Sequence, residues 1–255
     1  MTAPDTRVIR AADRHHWSNE WLDSRQSFPA TGNFDLRATA HGVLLVHNDD
    51  RVDSGEGLDM HQHRDAEIVT WVVDGALAHR DSDGNSGTLH AGTVQVMSAG
   101  RGIRHAERNA ATRASRSTLR VIQMWVAPEY PGGQPTYAER DVAGELAGGA
   151  LVPLASGLPR HADSPALPLA NRFAALYAAR LPAGGTVTLP PAKFGHLFVV
   201  TGDVEVSASG PDVAAYRLTE GDALRTVDAG ELSVAADRPA EVLFWEMHAG
   251  FSAFS

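Results

Sequence analysis

The chain contains no cysteine. That excludes disulfides, thiolate metal ligands and a cysteine nucleophile. Any metal must therefore rest on histidine and carboxylate. No apolar run approaches the roughly 18–20 residues of a membrane span, and Met1–Arg7 has no apolar stretch of the kind a secretion signal needs. Both absences lead to the expectation of a cytoplasmic protein with no membrane partner. Basic residues are few: Lys+Arg number 22 against 31 Asp+Glu, a net charge of −9. With no basic stripe, direct nucleic-acid binding is not expected, and the acidity speaks mainly to solubility. No Ser-His-Asp pattern is visible. No glycine motif cradles a phosphate either, because Gly100-Arg101-Gly102 opens no helix.

Long periodic helical segments are also scarce. Short β-rich runs recur instead: Gly42–Val46, Ile68–Val73, Thr93–Met97 and Leu119–Val126. Turn clusters at Asp81–Gly87 and Ser98–Gly102 punctuate them. Short strands at regular spacing predict an all-β barrel or sandwich. From about Pro128 to Pro168 proline and glycine break the pattern, which reads as an inter-domain passage with a short helix around Tyr137–Ala147. Strands then resume at Phe173–Ala178, Thr186–Leu189, His196–Val200, Asp203–Val206 and Ala240–Trp245.

The halves read as a diverged repeat. VVDGALAHRDSDGNSGTLHAGTVQ parallels VVTGDVEVSASGPDVAAYRLTEGDAL, each running strand, Gly turn, strand, polar loop, strand and a further Gly turn at Gly92 or Gly221. The expected division is residues 1–130 and 131–255, two tandem jelly-roll-like barrels.

The chemistry lies in two short stretches of the first half. His61-Gln62-His63 opens a strand-like run, and His105-Ala106-Glu107 follows a glycine turn. Side chains alternate faces along a strand, so His61 pairs with His63 and His105 with Glu107. On that parity Asp65, Glu67, Val69 and Trp71 also share the face of His61. Two such pairs on neighbouring strands give three imidazoles and a carboxylate for one metal, with positions left open. The ligand set suits Fe(II), Mn, Ni, Cu, Co or Zn and does not choose among them. In the second half Val234 and Ala236 stand where His105 and Glu107 stand in the first, so that half is expected to have lost the site. The remaining histidines, His15, His16, His41, His47, His79, His90, His161, His196 and His248, read as surface or hydrogen-bonded residues. The five tryptophans read as core.

Gly55–Glu67 resembles the first cupin motif, and Ser98–Glu107 resembles the second in the form particular to the pirin family. The resemblance extends upstream through RAADRHHWSNEWLDSRQSF and HNDDRVDSGEG and covers most of the first 126 residues. It implies a bicupin with one metal in the N-terminal barrel, Fe(II) first, held by His61, His63, His105 and Glu107. Glu67, placed where generic cupins carry a carboxylate ligand, then becomes an acceptor for an imidazole N–H. The resemblance also implies a dioxygenase that cleaves quercetin or a similar enol-bearing aromatic with dioxygen, Glu107 serving as ligand and proton acceptor, in a monomeric chain. A second reading, from another class, is a metal-dependent, redox-sensitive regulator that docks a protein partner without turnover. A third is a cupin isomerase that consumes no dioxygen. The sequence departs from the family pattern at His61-Gln62-His63 in place of His-Pro-His, at Leu58-Asp59 in place of aromatic-glycine, and at Ala91-Gly92-Thr93 in place of Pro-Gly-Asp. None of these removes a ligand, and Asp59 is expected beside the pocket mouth.

Overall fold

The computed structural model describes residues 5–29, 35–208 and 215–251. Part of the N-terminal reading (residues 1–4) and the polar loop of the second-half repeat (209–214) lie outside the described residues. The first twelve strands are β1 (Asp5–Ile9), β2 (His15–Ser18), β3 (Leu22–Gln26), β4 (Leu44–Val52), β5 (Gly57–His63), β6 (Glu67–Asp74), β7 (Ala76–Asp81), β8 (Ser86–His90), β9 (Thr93–Ser98), β10 (Ile103–Asn109), β11 (Leu119–Val126) and β12 (Thr136–Asp141). The second half follows with β13 (Val152–Ser156), β14 (Leu167–Pro168), β15 (Ala174–Leu181), β16 (Gly185–Leu189), β17 (Ala192–Thr201), β18 (Asp203–Ala208), β19 (Ala215–Thr219), β20 (Ala223–Ala229), β21 (Leu232–Ala236) and β22 (Ala240–Met247). Helix among the described residues is limited to single turns such as Leu36–Thr39 and Ala143–Leu146.

The strands form two matched pairs of sheets, so the all-β, twofold-repeated architecture expected from sequence is present. In the first half a seven-stranded sheet (β12-β9-β6-β11-β4-β3-β2) faces a four-stranded one (β5-β10-β7-β8). In the second half β1-β20-β17-β22-β15-β13-β14 faces β16-β21-β18-β19 in the same order. Each half is an open sandwich of two sheets, with no single hydrogen-bonded barrel closing around it. Strand composition follows burial. β9 (TVQVMS) and β22 (AEVLFWEM) are buried on both faces, as central strands covered on each side must be. β18 (DVEVSA) alternates exposed and buried, with one face in water.

The two large sheets pack on each other, and their apolar residues make the main core: Val69, Trp71, Ile122 and Met124 from one side, Leu176, Phe198, Leu243 and Trp245 from the other. The seam is also pinned by polar contacts. Trp71 Nε1 donates to Glu241 at 2.7 Å, and Arg120 makes a two-pronged pair with Asp49 at 2.9 and 2.8 Å while reaching Glu220 at 2.9 Å.

Three findings revise the sequence reading. The short helix expected around Tyr137–Ala147 is present only as the single turn Ala143–Leu146, and the residues ahead of it are strand: β12 pairs antiparallel with β9. Sheet membership also crosses the boundary at 130/131 in both directions, because β12 completes the first large sheet while β1 pairs with β20 in the second. Third, strand parity does not carry past His63. β5 ends there, Asp65 takes a left-handed φ of 50° and donates its N–H to the Gly100 carbonyl at 2.9 Å, and the chain restarts as β6 in the opposite sheet. Val69 and Trp71 therefore point into the seam instead of toward His61.

Candidate metal centre

Strand β10 carries the site. It runs between β5 and β7, with His105 opposite His61 on one side and opposite Asp81 on the other, and with Glu107 opposite His79. Between His105 and Glu107 the β5 register shifts, so that Glu107 faces Leu58. Such a bulge re-aims side chains at one point of a ladder. It turns Asp59 out, where its carboxylate pairs with Arg108 on the surface. Gly57 makes the approach of β5 to β10 possible. Its φ is 151°, and a Cβ there would stand 2.3 Å from the Glu107 carbonyl oxygen. Gly100, with φ 44°, turns the chain into β10, and a Cβ would stand 2.1 Å from the Gly133 oxygen.

The imidazoles of His61, His63 and His105 converge: ring centroids lie 4.8, 4.4 and 4.9 Å apart, and one donor nitrogen from each lies within 4.8 Å of the others. Glu107 groups differently. Its carboxylate forms a second three-donor set with His105 and His79. Glu107 Oε2 accepts a 2.7 Å hydrogen bond from Gln123 Nε2, whose Oε1 accepts in turn from Trp125 Nε1 at 3.3 Å. Trp125 stands edge-on to His63, centroids 4.8 Å apart. Below the site His79 stacks on Tyr137 at 4.9 Å, with its Nε2 3.8 Å from Asp81 Oδ2.

The electrostatics favour imidazoles without protons. Burial, reinforced by the neighbouring imidazoles, pushes His63 and His105 down to about 3. Burial raises the Glu107 carboxyl, against the pull of Gln123, His79 and His61. A neutral imidazole is the form that ligates a metal. Buried polar atoms normally have partners. Here His63 Nε2, both nitrogens of His79 and His105, and Glu107 Oε1 are buried with none. Two overlapping three-donor sets of N and O atoms, sharing His105, fit a borderline divalent transition metal.

Two candidates of the sequence reading fall elsewhere. Glu67 is buried on the far side of its sheet, accepting from Ser98 Oγ at 2.7 Å and from the Ala170 backbone N–H at 3.0 Å, so it ties the halves together and meets no imidazole N–H. Of the histidines read as ordinary, His16, His41, His161 and His248 are hydrogen-bonded. His79, His47 and His196 are not. His79 belongs to the site. His47 and His196 face each other across the seam, centroids 4.8 Å apart, fully buried and with all four nitrogens unpartnered. His79 was legible in principle, since His79-Arg80-Asp81 repeats the alternation that marked the other pairs. Gln123 was marked by its polarity within the apolar run LRVIQMWV.

In the second half β21 occupies the central place that β10 holds in the first, and Val234 and Ala236 lie in the apolar interior with Leu189, Val204 and Val206. That half has no donors at the matching positions.

Beside Glu107 a small pocket, open to solvent, is lined by Trp21, Leu22, Leu58 and Leu77 together with Asp50 and Glu107.

Comparison with known proteins accounts for both halves. The family model described as Pirin matches residues 6–126, and that described as Quercetinase C-terminal cupin domain matches residues 168–247. A Mycobacterium tuberculosis protein named "Putative quercetin 2,3-dioxygenase" is 45% identical over 249 residues, 98% of this chain and 97% of its own. The quercetin 2,3-dioxygenase of Escherichia coli K12 is 40% identical over 131 residues, 51% of this chain and 55% of its own. Among solved structures, the bacterial pirin YhhW of Escherichia coli in complex with nickel(II) superposes with a TM-score of 0.82 at 30% identity, covering 96% of this chain and 100% of that one. The fold is thus a pair of cupin domains, and the chain belongs to the pirin family.

Proposed function

We propose that the protein is a mononuclear metal-dependent dioxygenase acting on quercetin or a similar flavonol or enol-bearing aromatic. His61, His63, His105 and Glu107 would hold one divalent metal, Fe(II) in first place. The observation that supports the reading is the clustering of the His61, His63 and His105 imidazoles, with Glu107 joined to them through the shared His105 and with buried unpartnered atoms on His63, His105 and Glu107. The names borne by its relatives and the nickel(II) complex of YhhW support the same reading.

Such a metal, when bound, supplies a Lewis acid and a template for substrate and dioxygen. The chain supplies the rest. Gln123 fixes Glu107 and links it through Trp125 to the edge of His63. Trp21, Leu22, Leu58 and Leu77 offer apolar side chains to an aromatic ring.

The test joins metal analysis to dioxygen uptake with a flavonol panel, on wild type and the His61→Ala/His105→Ala variant. About one metal per wild-type chain, almost none in the variant, and uptake only by wild type are expected. Equal metal in both proteins would remove the ligand set. A metal-replete wild type with no uptake would remove the dioxygenase and favour the regulator that docks a protein partner.

A further inference from the structure

We propose that Asp50 is a second carboxylate of the substrate slot and accepts the hydroxyl proton of an aromatic enol bound there, leaving Glu107 to the histidines. The substrate class rests on the dioxygenase reading above; the placement of Asp50 does not.

Strand β4 alternates across the large sheet. Asp49 points to the seam, where Arg120 holds it. Asp50 points the other way, into the sandwich, with Val121 opposite it on β11 and Ser24 opposite it on β3. Asp50 and Glu107 line the same pocket from facing sheets. The Ser24 hydroxyl serves Asp50, yet its Oδ1 is buried with no partner. A buried acceptor left unpaired beside an apolar wall is what a donor group on a ligand would satisfy.

Glu107 lies among the histidines. One of its oxygens is held by Gln123 and the other, Oε1, is unpartnered, as Asp50 Oδ1 is, but the Glu107 carboxylate groups with His79 and His105. If Glu107 spends that oxygen on a metal, proton acceptance would be a second task for the same atom. Two carboxylates in unlike surroundings divide such tasks. The charged groups acting on Asp50 are Asp49 beside it on β4, Arg14 ahead of β2 and Glu107 on β10. Arg108 lines the pocket as well, but its guanidinium is committed to Asp59 and to the Gly55 carbonyl. Burial raises the Asp50 carboxyl to about 7, so it takes up and releases a proton near neutrality. In the transfer the enol O–H bond breaks, an O–H bond forms on Asp50, and the negative charge passes from Asp50 to the substrate oxygen. Nothing is oxidised or reduced in this step.

The test uses the whole chain stripped of metal by a chelator, with 3-hydroxyflavone as the probe. An ionised flavonol absorbs at longer wavelength than a neutral one, so the bound ligand reports its own protonation at a pH where free ligand is neutral. The ionised band is expected with wild type and with Glu107→Gln. With Asp50→Asn the band should vanish and binding should weaken on the order of tenfold, the factor for one lost charge-assisted hydrogen bond. A band that survives in Asp50→Asn or disappears in Glu107→Gln overturns the assignment. The wild-type measurement also decides without any variant, because flavonol bound only in neutral form, or not bound at all, overturns it too. A merely structural Asp50 would change stability and leave the band in place. Metal-loaded protein that consumes no dioxygen while the band persists would refute the dioxygenase reading and leave Asp50 standing. Uptake with a neutral bound flavonol would do the reverse.

Discussion

Acid should loosen the seam between the two halves through two histidines. His47 and His196 are fully buried there, packed against Phe28 and Phe198, with the guanidinium of Arg14 over Phe198 and that of Arg225 over Phe28. Burial holds both imidazoles well below their ordinary 6.5, and the arginines reinforce the effect. In the unfolded chain each recovers its ordinary affinity. Below pH 6.5 the unfolded state therefore binds one more proton per histidine than the folded state, and stability falls as pH falls. Above 6.5 neither state is protonated, and the contribution is flat. One proton corresponds to about 1.4 kcal/mol per pH unit. By pH 5 that amounts to roughly 2 kcal/mol for each imidazole and about 4 kcal/mol for the pair. The opposing carboxyls, such as Asp50, are common to wild type and variant and cancel in the difference. Urea denaturation of metal-free wild type and of His47→Leu/His196→Leu, from pH 8 to pH 5, reads that difference directly. The variant should gain on wild type only below pH 6.5, at up to two protons' slope. Parallel curves would mean that the pair accepts protons in the folded state, and the account of a dry seam would fail.

Arg120→Ala leaves Asp49 buried without its two-pronged partner and should cost about 3–5 kcal/mol in chemical denaturation; a loss below about 1 kcal/mol would show that water already reaches the pair. Glu67→Ala removes the acceptor of Ser98 and Ala170 and should cost about 1–3 kcal/mol. Its metal content should stay at the wild-type level, and metal loss would put Glu67 back in the centre. Gly57→Ala forces a Cβ to within 2.3 Å of the Glu107 carbonyl oxygen, at a φ of 151°. It should lower the melting temperature, adding a clash to about 1–3 kcal/mol of backbone strain, and reduce metal occupancy with it; normal occupancy would mean that the β5–β10 pairing does not set the site.

Much of the site was legible because strand periodicity is local. His61 and His63, and His105 and Glu107, share faces for the reason given by alternation alone, and both pairs lie on adjacent strands. Alternation failed where the chain left the strand. The turn at Asp65 moved Glu67, Val69 and Trp71 to another sheet, and no period-2 argument survives a left-handed residue. The helix expected around Tyr137–Ala147 is confined to Ala143–Leu146 for a different reason. Proline and glycine marked the passage as broken, but the edge of β9 was available for pairing, and tertiary contact made β12 a strand.

The sequence by itself determined the all-β class, the twofold repeat, the histidine pairs and their absence from the second half, because composition and alternation act over a few residues. Only the tertiary structure decided the rest. It exchanged β1 and β12 between the halves, assigned Glu67 to the seam, brought His79 and Gln123 to Glu107, buried His47 against His196, and set Asp50 facing the same slot as Glu107. Each of these joins residues far apart in the chain. Such pairings are selected by which faces can be buried together and which polar atoms can be satisfied there, and neither is written in any local run of residues.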